Sequence, residues 1–76
     1  MTDLGAKLRK TLAHIEIMTD CGGGKYPGMH YDLAPMQCNR LRRMGYVAMY
    51  MPENPSHKER VTITAAGRAA LHRATP

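Results

Sequence analysis

The segment from residue 41 to residue 71 constrains the fold of this chain most. It begins with a basic stretch of helical character that stops at Gly45, a residue free to adopt the left-handed angles that end helices. Two runs follow, 46–51 and 61–63, whose side chains alternate between two faces as in half-buried strands. Residues 52–59 between them are rich in turn formers, and Thr64 can cap a following helix. The pattern predicts a helix, a β-hairpin and a second helix.

An amphipathic helix is expected upstream, from about Asp3 to Met18, with Thr2 or Asp3 as its cap. The apolar residues that recur there at three- and four-residue spacing are Leu4, Leu8, Leu12, Ile15, Ile17 and Met18. Residues 19–28 contain three consecutive glycines and a proline, which predicts a break.

A middle helix is predicted to resume near Asp32 as N-cap, with Pro35 tolerated in the first turn. Its inward stripe is expected to be Leu33, Cys38, Leu41 and Met44, which leaves Gln37, Asn39, Arg40 and Arg43 largely outward. The last helix should run from Thr64 to about Ala74, with Ala66, Ala69, Ala70 and Leu71 able to face the core. A glycine inside a helix costs about 1 kcal/mol relative to alanine, so Gly67 predicts close backbone packing.

Length and charge narrow the classes of function. A chain of 76 residues makes one small domain, 1–76, with little apolar surface left to line a deep enzymatic pocket, so an enzyme is not expected. The formal charge of +5 favours polyanions as partners. Two cysteines, with no signal peptide or membrane-spanning segment, predict a complete cytoplasmic protein with reduced thiols and no membrane association.

Eight residues of the 41–71 segment form a recognisable combination: Leu41, Gly45, Tyr46 and Val47, then Thr64, Gly67, Arg68 and Leu71. They resemble Leu-x-x-x-Gly-Tyr-Val and Thr-x-x-Gly-Arg-x-x-Leu of winged helix-turn-helix regulators of the MarR and PadR type. The resemblance covers about half the chain. It implies an α+β fold with about three helices and a two-stranded β-wing. Upstream, residues 29–31 leave space only for a shortened or remodelled second helix.

In that family the recognition helix lies in the major groove and the wing reaches the minor groove or the phosphate backbone. By position, the resemblance implies base or phosphate contacts by Gln37, Asn39, Arg40 and Arg43, and wing contacts by His57, Lys58 and Arg60. The alternative is that these residues are a solubilising face.

Other motifs are weaker. Residues 22–25, Gly-Gly-Gly-Lys, lack the spacing, the hydroxyl residue and the preceding strand of a phosphate-binding loop. Cys21, His30, Cys38 and His14 lack the closely spaced ligand pairs of structural zinc sites. No cofactor or metal is therefore expected.

The sequence thus predicts a transcriptional regulator that binds double-stranded DNA, of phage or mobile-element type by analogy with its small size. The alternative is a winged-helix module that binds protein, or an inhibitor, favoured by the irregular segment 19–31 and by the methionines and tyrosines of the wing. Either a homodimer, formed through the first and last helices, or a monomer is compatible with the sequence.

Overall fold

Three α-helices and a three-stranded antiparallel sheet make up residues 4–21, 27–50 and 59–73, which are the residues that the computed structural model describes. In chain order the elements are α1 (Ala6–Cys21), β1 (Met29–His30), a 3-10 turn (Tyr31–Leu33), α2 (Pro35–Arg43), β2 (Val47–Tyr50), β3 (Arg60–Ile63) and α3 (Ala65–Arg73). The predicted α+β class is confirmed, and the arrangement is compatible with a winged-helix layout. The expected caps Thr2 and Asp3, the glycine run and the wing tip lie outside the described residues.

Strand β3 is the centre of the sheet, with β1 and β2 paired on its two sides. Val61 pairs with Met29 on one side and with Met49 on the other, which puts these side chains on one sheet face. Met29, Val61 and Ile63 are buried on that face, while Met49 is half-buried. The sequence did not predict β1, because two residues are too short to show a strand's alternation.

The core lies between the inner sheet face and the helices. Helix α1 packs across β3 and also contacts α2 and α3. The side chains that form the core are Leu4, Leu8, Leu12, Ile15, Met29, Cys38, Leu41, Val47, Val61, Ile63 and Ala70. No helix in the described segments is long and apolar enough to cross a membrane.

Helix α1 begins and ends three residues later than predicted. Its first turn starts after Gly5, whose carbonyl accepts a hydrogen bond from the amide of Arg9 at 2.9 Å. At the other end, the hydroxyl of Thr19 donates to the carbonyl of Ile15 at 2.7 Å and accepts from the amide of Ile63 at 3.1 Å. Ile17, expected to face inward, is 57% exposed, because at about 100° per residue it lies away from the stripe formed by its neighbours.

The predicted start of α2 is wrong. Asp32 lies in the 3-10 turn, and Ala34 precedes the helix with φ −154° and ψ 67°. A residue before proline avoids the helical region, so α2 starts at Pro35 and Asp32 is too far upstream to cap it. Leu33, expected in the inward stripe, is 67% exposed because the turn carries it out of register with the helix.

Gly45 ends α2 as predicted, in the left-handed conformation with φ +82°. The amide of Gly45 donates to the carbonyl of Arg42 at 3.0 Å, and the amide of Tyr46 donates to that of Leu41 at 3.0 Å. This pair of bonds is a Schellman motif, which satisfies the carbonyls at the helix end.

Helix α3 is capped by Thr64, as predicted. The amide of Gly67 donates to the Thr64 hydroxyl at 3.0 Å, and that hydroxyl donates to the Gly45 carbonyl at 2.8 Å. Close packing of Gly67 is also confirmed, since a Cβ there would overlap the Tyr46 carbonyl oxygen. Ala66 and Ala69 are exposed, contrary to expectation, because the buried side of α3 is narrow and is formed by Gly67 and Ala70.

Replacing Gly67 with alanine should destabilise the protein, although alanine is the better helix former by about 1 kcal/mol. The new methyl group would meet a backbone carbonyl and, at 2.8 Å, Cγ1 of Ile63. Thermal unfolding of Gly67→Ala and of the exposed-site control Ala69→Gly checks this. We expect Gly67→Ala to lower the midpoint more than the control does, whereas a raised midpoint would contradict the close packing.

Candidate nucleic-acid interface

Helix α2 presents one polar face to solvent. Its inward side is formed by Cys38 and Leu41, which are buried, and it packs against α1 and β2. The exposed residues on the opposite side follow the spacing i, i+3, i+4, i+7 that defines one helix face. They are Met36, Asn39, Arg40 and Arg43, and we call them the α2 stripe.

Three of the four residues predicted on this helix lie together in the stripe, namely Asn39, Arg40 and Arg43. Gln37 is half-buried and lies beside the inward side instead. Met36 was not predicted, although it is 73% exposed. The signal in the sequence is its spacing, since Met36 lies three residues before Asn39 and four before Arg40.

The charge on α2 is all of one sign. The helix contains three arginines and no carboxylate, and all three lie in its last turn. Cations at a helix C-terminus are favoured by the helix dipole, so the fold tolerates this concentration of positive charge. The side chains of Asn39, Arg40 and Arg43 can donate to phosphate oxygens or to base edges.

The wing contributes fewer candidate contact residues than α2 does within the described part of the chain. Arg60 is the first residue of β3, opposite Tyr50 of β2 and His30 of β1, on the sheet face turned away from the core. It is half-buried, and its Nη1 donates a long hydrogen bond of 3.4 Å to the Gly28 carbonyl. Arg60 therefore lies at the base of the wing, while the other predicted wing contacts, His57 and Lys58, lie outside the described residues.

The described cysteines and histidines do not come together as a set of metal ligands. Within residues 4–21, 27–50 and 59–73, no three His, Cys, Asp or Glu side chains are grouped to hold a metal ion. Cys21 is exposed, whereas Cys38 is buried in the core. Burial raises the pKa of the Cys38 thiol, because an apolar environment disfavours the thiolate. Cys38 is thus a packing residue.

An ion-pair network fixes α3 against α1. The two terminal guanidinium nitrogens of Arg68, Nη1 and Nη2, donate to the Asp20 carboxylate at 3.0 and 2.6 Å, and Nη1 also lies 3.3 Å from Oε2 of Glu16. His72 approaches the same Glu16 oxygen at 2.9 Å. No local pattern predicts these pairs, because their members are 48 to 56 residues apart. The two described carboxylates of α1 are therefore engaged by α3.

The contact between Arg68 and Asp20 should make the stability of the protein depend on pH. The hydrogen bond from Arg68 to the charged carboxylate holds the pKa of Asp20 below the ordinary value of 3.8. A lowered native pKa means that the pair stabilises the fold above pH 3.8 and that this contribution is lost as the pH falls through the native pKa.

We therefore expect Asp20→Asn to lower the thermal midpoint at neutral pH and the difference from the wild type to shrink as the pH falls below 3.8. The control Glu59→Gln makes the same change of charge at an exposed residue. A difference for Asp20→Asn that is constant with pH would contradict an ionic contribution.

Comparison of the chain with protein-family models, with curated proteins and with solved structures gave no significant match. Functional inference for this protein therefore rests on its own residues and their geometry.

Proposed function

We propose that this protein binds double-stranded DNA through α2 and acts as a transcriptional regulator. The observation that carries the proposal is the α2 stripe, in which Asn39, Arg40 and Arg43 share one exposed helix face without a carboxylate on the helix. Long-range attraction of a polyanion by the charge of +5 adds to this local surface. A cytoplasmic location accords with the proposal and with two unpaired cysteines among the described residues.

The dimensions of α2 suit the major groove. An α-helix with its side chains is about 10–12 Å across, and the major groove is about 12 Å wide, so a helix such as α2 can enter it. An arginine in the groove can bond guanine O6 and N7, and an asparagine can bond adenine N6 and N7. In this arrangement Arg40 and Arg43 supply base or phosphate contacts and Asn39 a base contact, while Arg60, His57 and Lys58 are candidates for backbone contacts from the wing.

Binding to a protein is the second candidate, and one observation favours it. An open groove of about 250 Å³ lies between α1 and the residues just before α2. Met29, Leu33 and Ala34 line it, with Lys10 and His14 among the polar residues beside them. Leu33 is exposed there, so an apolar side chain of a partner protein would find contacts. None of the residues of the α2 stripe lines this groove.

DNA binding by α2 predicts a strong dependence on salt. We consider four cationic side chains that contact phosphates, where each contact releases about 0.9 counterion. A plot of the logarithm of the affinity against the logarithm of the salt concentration should then have a slope of roughly −3 to −5. Arg43→Gln should weaken binding and make the slope shallower by about one, and Arg43→Glu should reduce affinity at least about tenfold. Fluorescence anisotropy with a mixed-sequence duplex measures both quantities.

The matched control is Arg73→Glu, which makes the same charge change at an exposed residue in the last turn of α3. It should alter affinity much less than Arg43→Glu, and the circular dichroism of both variants should match that of the wild type. Absence of binding to duplex DNA at about 50 mM salt, where the non-specific component is strongest, would contradict the proposal and favour the protein-binding candidate.

A further inference from the structure

Met36 lies in the α2 stripe without a role in the core. Its side chain is 73% exposed, while the core side of the same helix is filled by Cys38 and Leu41. It is in the first turn of α2, directly after Pro35. Exposure leaves a long apolar side chain in water next to polar groups, so its contribution to folding is small.

The position of Met36 relative to the arginines limits how many base pairs can separate their contacts on DNA. Along a helix, four residues correspond to about 6 Å and seven to about 10.5 Å. Adjacent base pairs are separated by about 3.4 Å. The rise of α2 therefore places Met36 within about two base pairs of a base contacted by Arg40 and within about three of one contacted by Arg43.

The major-groove edges of the bases offer one apolar group, the C5 methyl of thymine. A methionine side chain is unbranched, flexible and polarizable, and adapts to such a surface. On the basis of the DNA binding proposed above, we propose that Met36 is a specificity-determining residue that packs against a thymine methyl group in the major groove. The preferred DNA site then contains thymine within about two or three base pairs of a guanine bound by an arginine.

The position of Met36 distinguishes it from the other large apolar side chains that are exposed in the described part of the chain. These are Ile17 on α1 and Leu33 in the 3-10 turn. Neither belongs to α2, and neither shares the face with Asn39, Arg40 and Arg43. Ile17 therefore provides a matched control of similar size and exposure.

The test begins with selection of bound sequences from a library of random duplexes by the full-length wild-type protein. In the enriched duplex, each thymine is replaced in turn by deoxyuridine, which removes only the methyl group. For the wild type we expect one such replacement to weaken binding about fourfold, which is the effect of losing one buried methyl group.

Met36→Gln keeps the side-chain length but not its apolar end. It should bind the thymine and uracil duplexes equally, whereas Met36→Leu and Ile17→Ala should retain the discrimination.

Each outcome is decisive. Enrichment of no sequence, or a wild type that tolerates every uracil, would overturn the role of Met36 and leave DNA binding standing. Equal discrimination by Met36→Gln and the wild type would assign the methyl contact to another residue and overturn the inference. Failure of the wild type to retain any duplex would instead overturn the proposed function. Circular dichroism confirms that the variants are folded.

Discussion

The close approach of α3 to the start of β2 is the constraint on which the rest of the structure depends. The Thr64 amide donates to the Tyr46 carbonyl at 3.0 Å, and the Thr64 hydroxyl links the Gly45 carbonyl to the Gly67 amide. Three parts of the structure thus meet at one point: the end of α2, the place where the pairing of β2 with β3 begins, and the first turn of α3. Gly67 makes this possible, because any side chain there would overlap the Tyr46 backbone.

This junction determines which side of α2 faces solvent. The Schellman motif at Gly45 fixes the direction in which the chain leaves α2 and enters β2. Leu41 is then held in the core, fully buried, and the α2 stripe is left outside. Arg68, the residue after Gly67, pairs with Glu16 and Asp20 of α1 and so links α3 to that helix. Packing contacts outside the candidate interface therefore determine its orientation.

Local signals predicted much of this fold, and long-range contacts account for what they missed. The helix stop at Gly45 and the cap at Thr64 depend on backbone conformation and nearby hydrogen bonds, which residue type reveals. The edge strand β1 depends on pairing with β3, and the ion pairs of Arg68 join distant elements, so neither leaves a periodic pattern. Within the site, helical position and the resemblance selected Asn39, Arg40 and Arg43 together with the half-buried Gln37, and overlooked Met36.

The residues that predicted a winged-helix arrangement mainly build the fold. Gly45, Tyr46, Thr64 and Gly67 form the junction, and Arg68 joins α3 to α1. Their chemistry explains the architecture, whereas the case for DNA depends on the α2 stripe.

The most direct measurement is therefore an NMR titration of the labelled protein with duplex DNA, following backbone amides and methionine methyl groups. We expect the largest shifts along α2, at Asn39, Arg40, Arg43 and the methyl of Met36, with smaller changes in α1. Shifts confined to Ile17, Leu33 and the groove beside α1, with α2 unchanged, would contradict it.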